Sequence, residues 1–217
     1  NGTTMTNTNA LTLNGTGINS GGALINSSGT AATYAGLVTL GSASSIMGGS
    51  GTIALSNANT ITGVYGLTLG GAAGGSITSI IGTGAGTVTK QDAGTWTLSG
   101  ANTYTGGTTI NGGTLSVATG GSSGTNLSTG AVTIGGGTLL ITGANTIGNN
   151  ITLGSGANEI AAASSITATL SGIISGGGTG ALAVGDSTNN GTVIFSNSAN
   201  TYTGGTTISG GTLSVGA

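Results

Sequence analysis

The sequence predicts an all-β chain wound as a parallel β-helix, a β-solenoid of about ten coils. Three observations predict it: apolar residues alternate with Thr and Ser, glycine pairs cut these runs short, and a 17-residue segment returns almost unchanged. The alternation is clear at Trp96 and Leu98 against Thr95, Thr97 and Ser99. It recurs at Leu115 and Val117 against Thr114 and Ser116, at Val132 and Ile134 around Thr133, and at Ile151 and Leu153 around Thr152. A period of two over three to five residues is the signature of a short strand with one buried face. Between these runs stand Gly106-Gly107, Gly112-Gly113, Gly120-Gly121, Gly135-Gly136-Gly137 and Gly176-Gly177-Gly178, residue pairs that turn the chain without steric cost. The segment Ala161 to Leu170 comes nearest to a helical pattern, and its Ser and Thr content argues against it.

Strands this short need neighbours. The segment Ala101 to Val117, ANTYTGGTTINGGTLSV, recurs as Ala199 to Val215 with the single change of Asn111 to Ser209. Its opening Ala-Asn-Thr echoes at Ala58 and Ala144, so the four copies are spaced by 43, 43 and 55 residues. Forty-three residues is two coils of ordinary solenoid size. Stacked at about 4.8 Å per coil, each strand pairs with its equivalents, with Val, Ile, Leu and Ala inside and Thr and Ser outside. An antiparallel sandwich, the main competitor, has no need of echoes at coil spacing. The last gap is longer, so the coils are expected to be unequal. One solenoid is expected over 1–217, with repeat copies at about 82–117 and 178–215.

Composition narrows the function. Of 217 residues 49 are glycine, none is cysteine, proline or histidine, and the charged side chains are Lys90, Asp92, Glu159 and Asp186. A mean hydropathy of +0.35 with a net charge of −2 is the reverse of a disordered chain. One cation cannot make a nucleic-acid footprint or a polybasic lipid anchor. No apolar run approaches the roughly 20 residues that cross a bilayer as a helix. The sequence opens without a signal peptide, as a mature chain or an excised segment would.

From Gly86 to Val117 the chain reads GTVTKQDAGTWTLSGANTYTGGTTINGGTLSV. This resembles the autotransporter-associated β-strand repeat, through Lys90, Gly94, Trp96, Leu98, Gly100, Asn102, Tyr104, Gly106, Thr108, Ile110, Gly113 and Leu115. The copy at 178–215 departs at its start, with Gly185 in place of the lysine and Phe195 near the tryptophan position. The resemblance implies a right-handed β-helix and a passenger displayed on the outer surface of a Gram-negative cell. The membrane β-barrel of such proteins has no counterpart in these residues.

Chemistry has little to work with. Lys90 and Asp92, two apart, are expected to form a local ion pair. Glycoside hydrolysis needs two acting carboxylates, and Glu159 and Asp186 stand in separate segments as solvated or turn-capping acids. Glycine clusters such as Gly82-Thr83-Gly84-Ala85-Gly86 lack the strand-to-helix context of a phosphate loop, and Gly185-Asp186 lacks the acid in every turn of a calcium-binding repeat. No catalytic residue, cofactor or metal ligand is expected. Trp96, Tyr104, Tyr202 and Phe195 read as core or corner residues before a sugar-stacking patch, and Asn102 and Asn200 as asparagines bonded to backbone at a coil corner. Thr-x-Thr pairs at 60/62, 87/89, 95/97, 103/105, 167/169 and 201/203 raise an ice-binding ladder as a minor reading, against which their uneven gaps stand. The leading expectation is a non-enzymatic extracellular stalk or adhesin passenger. The alternative is a self-assembling subunit of an extracellular filament, joined head to tail through uncapped solenoid ends or by a strand donated between copies. The expected partner is a second copy, the continuing solenoid, or a host or matrix surface, with no nucleic acid and no embedding in a membrane.

Overall fold

A computed structural model describes residues 4–5, 8–117, 125–176 and 180–216 of the chain. All the pairing between its strands is parallel, and among the described residues there is no α-helix. The strands stack into three faces. Ten strands form the face that carries Trp96, beginning at Thr4–Met5 and ending at Thr206–Ile208. The second face follows a path of eight strands from Leu11–Gly15 to Ile174–Gly176, with Leu24–Asn26 beside the long strand Val38–Gly48. The third face holds Thr60–Ile61 with Ile80–Ile81, and further along Thr146–Ile147, Thr167–Leu170, Thr192–Phe195 and Thr212–Val215. Counted along the path of the second face the coils number about eight, slightly below the ten expected. The reason is coil length. Thr4 pairs with Thr33, twenty-nine residues on, whereas Trp96 pairs with Leu115, nineteen on, and Leu115 with Leu139, twenty-four on.

Alternation fills the interior as the period-two pattern requires. Ile53, Trp96, Leu115, Leu139, Ile160 and Val184 make one buried file of the tryptophan face, and Leu55, Ile77, Leu98, Val117, Ile141 and Ala162 the next. Trp96 fits because Gly75 lies beneath it: a Cβ there would stand 3.0 Å from the ring. The indole Nε1 donates to Gly70 O at 2.9 Å, so the polar edge of this buried ring is satisfied.

Face assignment is where the repeat surprises. In the first copy Ala101 to Thr105 lies on the third face, Thr108–Ile110 on the second and Thr114–Val117 on the tryptophan face. In the second copy each piece has moved one face along. Thr201 N and Thr203 N donate to Ile174 O and Gly176 O on the second face. Thr206–Ile208 joins the tryptophan face and Thr212–Val215 the third. The copies spaced by 43 residues keep their face and the gap of 55 shifts it, which confirms that the coils are unequal.

Candidate functional site

The four charged side chains are the natural places to look for chemistry, and the structure disperses them. Lys90 ends the strand Val88–Lys90 and points inward, between Leu69 and Ile110 in an otherwise aliphatic file. It is fully buried. Its Nζ donates to three carbonyls, Gln91 O at 2.7 Å, Asp92 O at 2.7 Å and Gly112 O at 2.8 Å. Two of these lie on its own corner and the third on the next coil, so the ammonium clamps successive corners together. The expected ion pair with Asp92 is replaced by this clamp. Asp92 sits past the strand in the corner, at φ 60°, and its Oδ2 accepts from Gly71 N at 2.8 Å on the preceding coil. Burial lowers the Lys90 ammonium from 10.5 to about 8, with the negative charge of Asp92 acting in the opposite direction.

Asp186 caps a turn, as its sequence context suggests. Oδ1 accepts from Thr188 N at 2.6 Å and Asn189 N at 2.7 Å, and Oδ2 accepts from Asn189 Nδ2 at 2.8 Å. The Asn189 backbone bond, then its side-chain bond, hold the carboxyl below the usual aspartate value. Glu159 stands on the outer side of the tryptophan face between Thr138 and Ala183, and its Oε2 accepts from Thr138 Oγ1 at 2.8 Å. Each acid thus has its own local partners, in three different places. Among the described residues no group of three or more His, Cys, Asp or Glu could hold a metal ion.

The aromatics are interior. Trp96 and Tyr104 are fully buried and Phe195 nearly so, with Tyr202 edge-on to Phe195 at 6.4 Å between ring centres. Burial pushes the Tyr104 phenol up to about 12, partly offset by its bond to Thr108. Tyr104 and Thr108 share a hydrogen bond of 2.7 Å, and Tyr202 and Thr206 one of 2.9 Å. Asn102 and Asn200 repeat one role: Oδ1 accepts from Ile81 N at 2.7 Å and from Ile174 N at 2.8 Å. These corner asparagines were legible in the sequence. Tyr65, exposed beside Val64 at a corner, was not singled out by any motif.

The outer surface carries hydroxyls. The Thr-x-Thr pairs are spread over all three faces: Thr60 and Thr167 start strands of the third, Thr89 lies on the second and Thr95 on the tryptophan face. What does recur once per coil is a single file on the second face, Thr68, Thr89, Thr109, Thr133, Thr152 and Ser175, paired in register. The uneven gaps in the sequence hid this file, because coil lengths vary while register does not.

Fold and surface together define a β-solenoid whose charged and aromatic residues mostly hold its own coils. Two of its segments, residues 88–117 and 187–215, match the Passenger-associated-transport-repeat family. Over 54 residues, 25% of the chain, it is 50% identical to the Adhesin BmaC autotransporter of Brucella suis biovar 1 (strain 1330). The chain spans only 2% of that protein's length. No solved structure matches the chain. About a quarter of the chain thus matches a passenger-associated repeat, and a similar share is similar to a short part of an autotransporter adhesin.

Proposed function

We propose that the chain is a non-enzymatic section of a surface-displayed adhesin passenger, a stiff stalk that works outside a Gram-negative cell through its length and its faces. One observation carries this reading. The residues of the matched repeat, Lys90, Trp96, Asn102 and Tyr104, all lie inside or clamp the coils, so the repeat specifies a rod and leaves the outer faces free to vary. The test is to fuse the chain to an outer-membrane anchor in a non-adherent Gram-negative host. Antibody should label intact cells, and labelled cells should attach to epithelial monolayers or matrix-coated plates above the anchor-only strain. Labelled cells that attach no better than that strain would remove the adhesin reading.

A further inference from the structure

The sequence holds four Asn-Gly pairs, of which three lie among the described residues: Asn14-Gly15, Asn111-Gly112 and Asn190-Gly191. Asparagine is a thermolabile residue. A glycine after it makes it most so, because a residue without a Cβ lets its amide nitrogen close on the asparagine side chain. All three asparagines are exposed. Their glycine N–H groups differ. Gly15 N donates to Ser42 Oγ at 2.8 Å, and Gly191 N to Ala162 O at 3.0 Å. Gly112 N has no hydrogen-bond partner among the described residues, and neither has the Asn111 side chain. The rest of this corner is held. Asn111 N donates to Lys90 O at 2.8 Å, and Gly112 O accepts from Lys90 Nζ at 2.8 Å. The strands on either side, Thr108–Ile110 and Thr114–Val117, are each paired to two neighbours. A Cβ on Gly112 would meet nothing closer than 3.5 Å, so the space beside the free nitrogen is open.

We propose that Asn111 is a self-modifying site, converted in the folded chain to isoaspartate with water as the one outside reactant. Gly112 N gives up its proton and attacks Cγ of Asn111. The new C–N bond closes a succinimide ring, the Cγ–Nδ2 bond breaks, and the nitrogen leaves as ammonia carrying that proton. One water then opens the ring. Breaking the bond from Gly112 N to the main-chain carbonyl carbon of residue 111 leaves isoaspartate, with the chain rerouted through Cβ and Cγ. Breaking the newly formed bond leaves aspartate instead. In either case one water enters and one ammonia departs. Isoaspartate lengthens the corner by one backbone atom and carries Gly112 O away from Lys90 Nζ, so the clamp between these two coils loses its bond across them. The second repeat copy lacks the reaction, because Ser209 stands at the matching position.

The test is to age the folded chain at mildly alkaline pH, where amide nitrogens lose protons more readily, beside the same chain unfolded in urea. Chymotryptic peptides sampled over time report deamidation by mass, and isoaspartate by fragmentation. In the folded chain Asn111 should convert about tenfold or more faster than Asn14 and Asn190, whose glycine N–H bonds must open first, and in urea the three rates should converge. Trypsin should then cut the aged chain at Lys90 severalfold faster than the fresh chain, because the clamp that encloses this side chain is broken. N111S, which carries the serine of the second copy, should keep its fresh rate after the same ageing. Equal conversion of the three sites in the folded chain, no conversion at Asn111, or aspartate without isoaspartate would overturn the proposal, as would an aged parent chain cut no faster than a fresh one.

Discussion

Lys90 shows how a single residue can be placed by alternation against its own chemistry. Val88 faces in, Thr89 out, and Lys90 in again, so the period-two pattern held the answer. The usual solvation of lysine argues the other way, and it is overruled because the corner offers three carbonyls within reach of one ammonium. Replacing Lys90 by Met leaves those carbonyls without this donor, a loss expected to cost about 3 kcal/mol of unfolding free energy in urea. The pH dependence gives a second readout. With the folded value lowered to about 8 against 10.5 in the unfolded chain, the unfolded state binds more protons between these values. Stability of the parent chain should therefore rise as pH goes from 8 toward 10.5, and that rise should be missing from K90M. A parent chain whose urea midpoint falls over this window would contradict the burial of the ammonium.

At the scale of elements, strand positions and the corner asparagines were legible in the sequence, and the faces were not. A run such as Thr-Leu-Ser-Val declares itself a strand by alternation, yet the face it joins depends on every corner before it. From Thr146–Ile147 to Thr192–Phe195 the chain lays down seven strands, two full coils and one face more, so the second repeat copy arrives one face late. Corners such as Gly185 to Gly191, which holds the Asp186 turn, vary in length and hide that count in the sequence. The bond from Thr138 to Glu159 escaped notice for the same reason, because it exists only where the two residues come into register. The shift has an energetic consequence for residues that are identical in sequence. Asn102 is buried and uses both ends of its amide, accepting from Ile81 N and donating to Asn126 O at 2.7 Å. Asn200 is only half-buried, and its Oδ1 accepts from Ile174 N. Asn102→Ala should cost about 2–4 kcal/mol and Asn200→Ala about 1 kcal/mol or less, read as shifts of the urea midpoint. Equal losses would mean that the repeat's sequence, and not its place among the coils, sets the energy.

For the whole molecule, stability is a sum over coils and the contacts between neighbours, so opening one coil exposes two sets of strand edges. The chain carries its own probe for this event. Trypsin-like proteases need a Lys or Arg, and Lys90 is the one such residue in 217. In the native solenoid that side chain is fully buried and its strand is paired on both sides, to Leu67–Gly70 and to Thr108–Ile110. Cleavage therefore requires the coils at Lys90 to part, and its rate follows the open fraction when reclosing is faster than cutting. The folded chain should stay intact on a gel under conditions that cut the urea-unfolded chain into pieces 1–90 and 91–217. Gly71→Ala should speed the native cut. Gly71 has φ +90° and its N–H bonds Asp92, while a Cβ there would lie 2.1 Å from Gly48 O, so the change strains the corner beneath Lys90. Gly29→Ala meets nothing within 4 Å and should leave the rate unchanged. A native chain cut as fast as the unfolded one would mean that the coils do not hold Lys90 closed, and the stiff stalk would lose its physical basis.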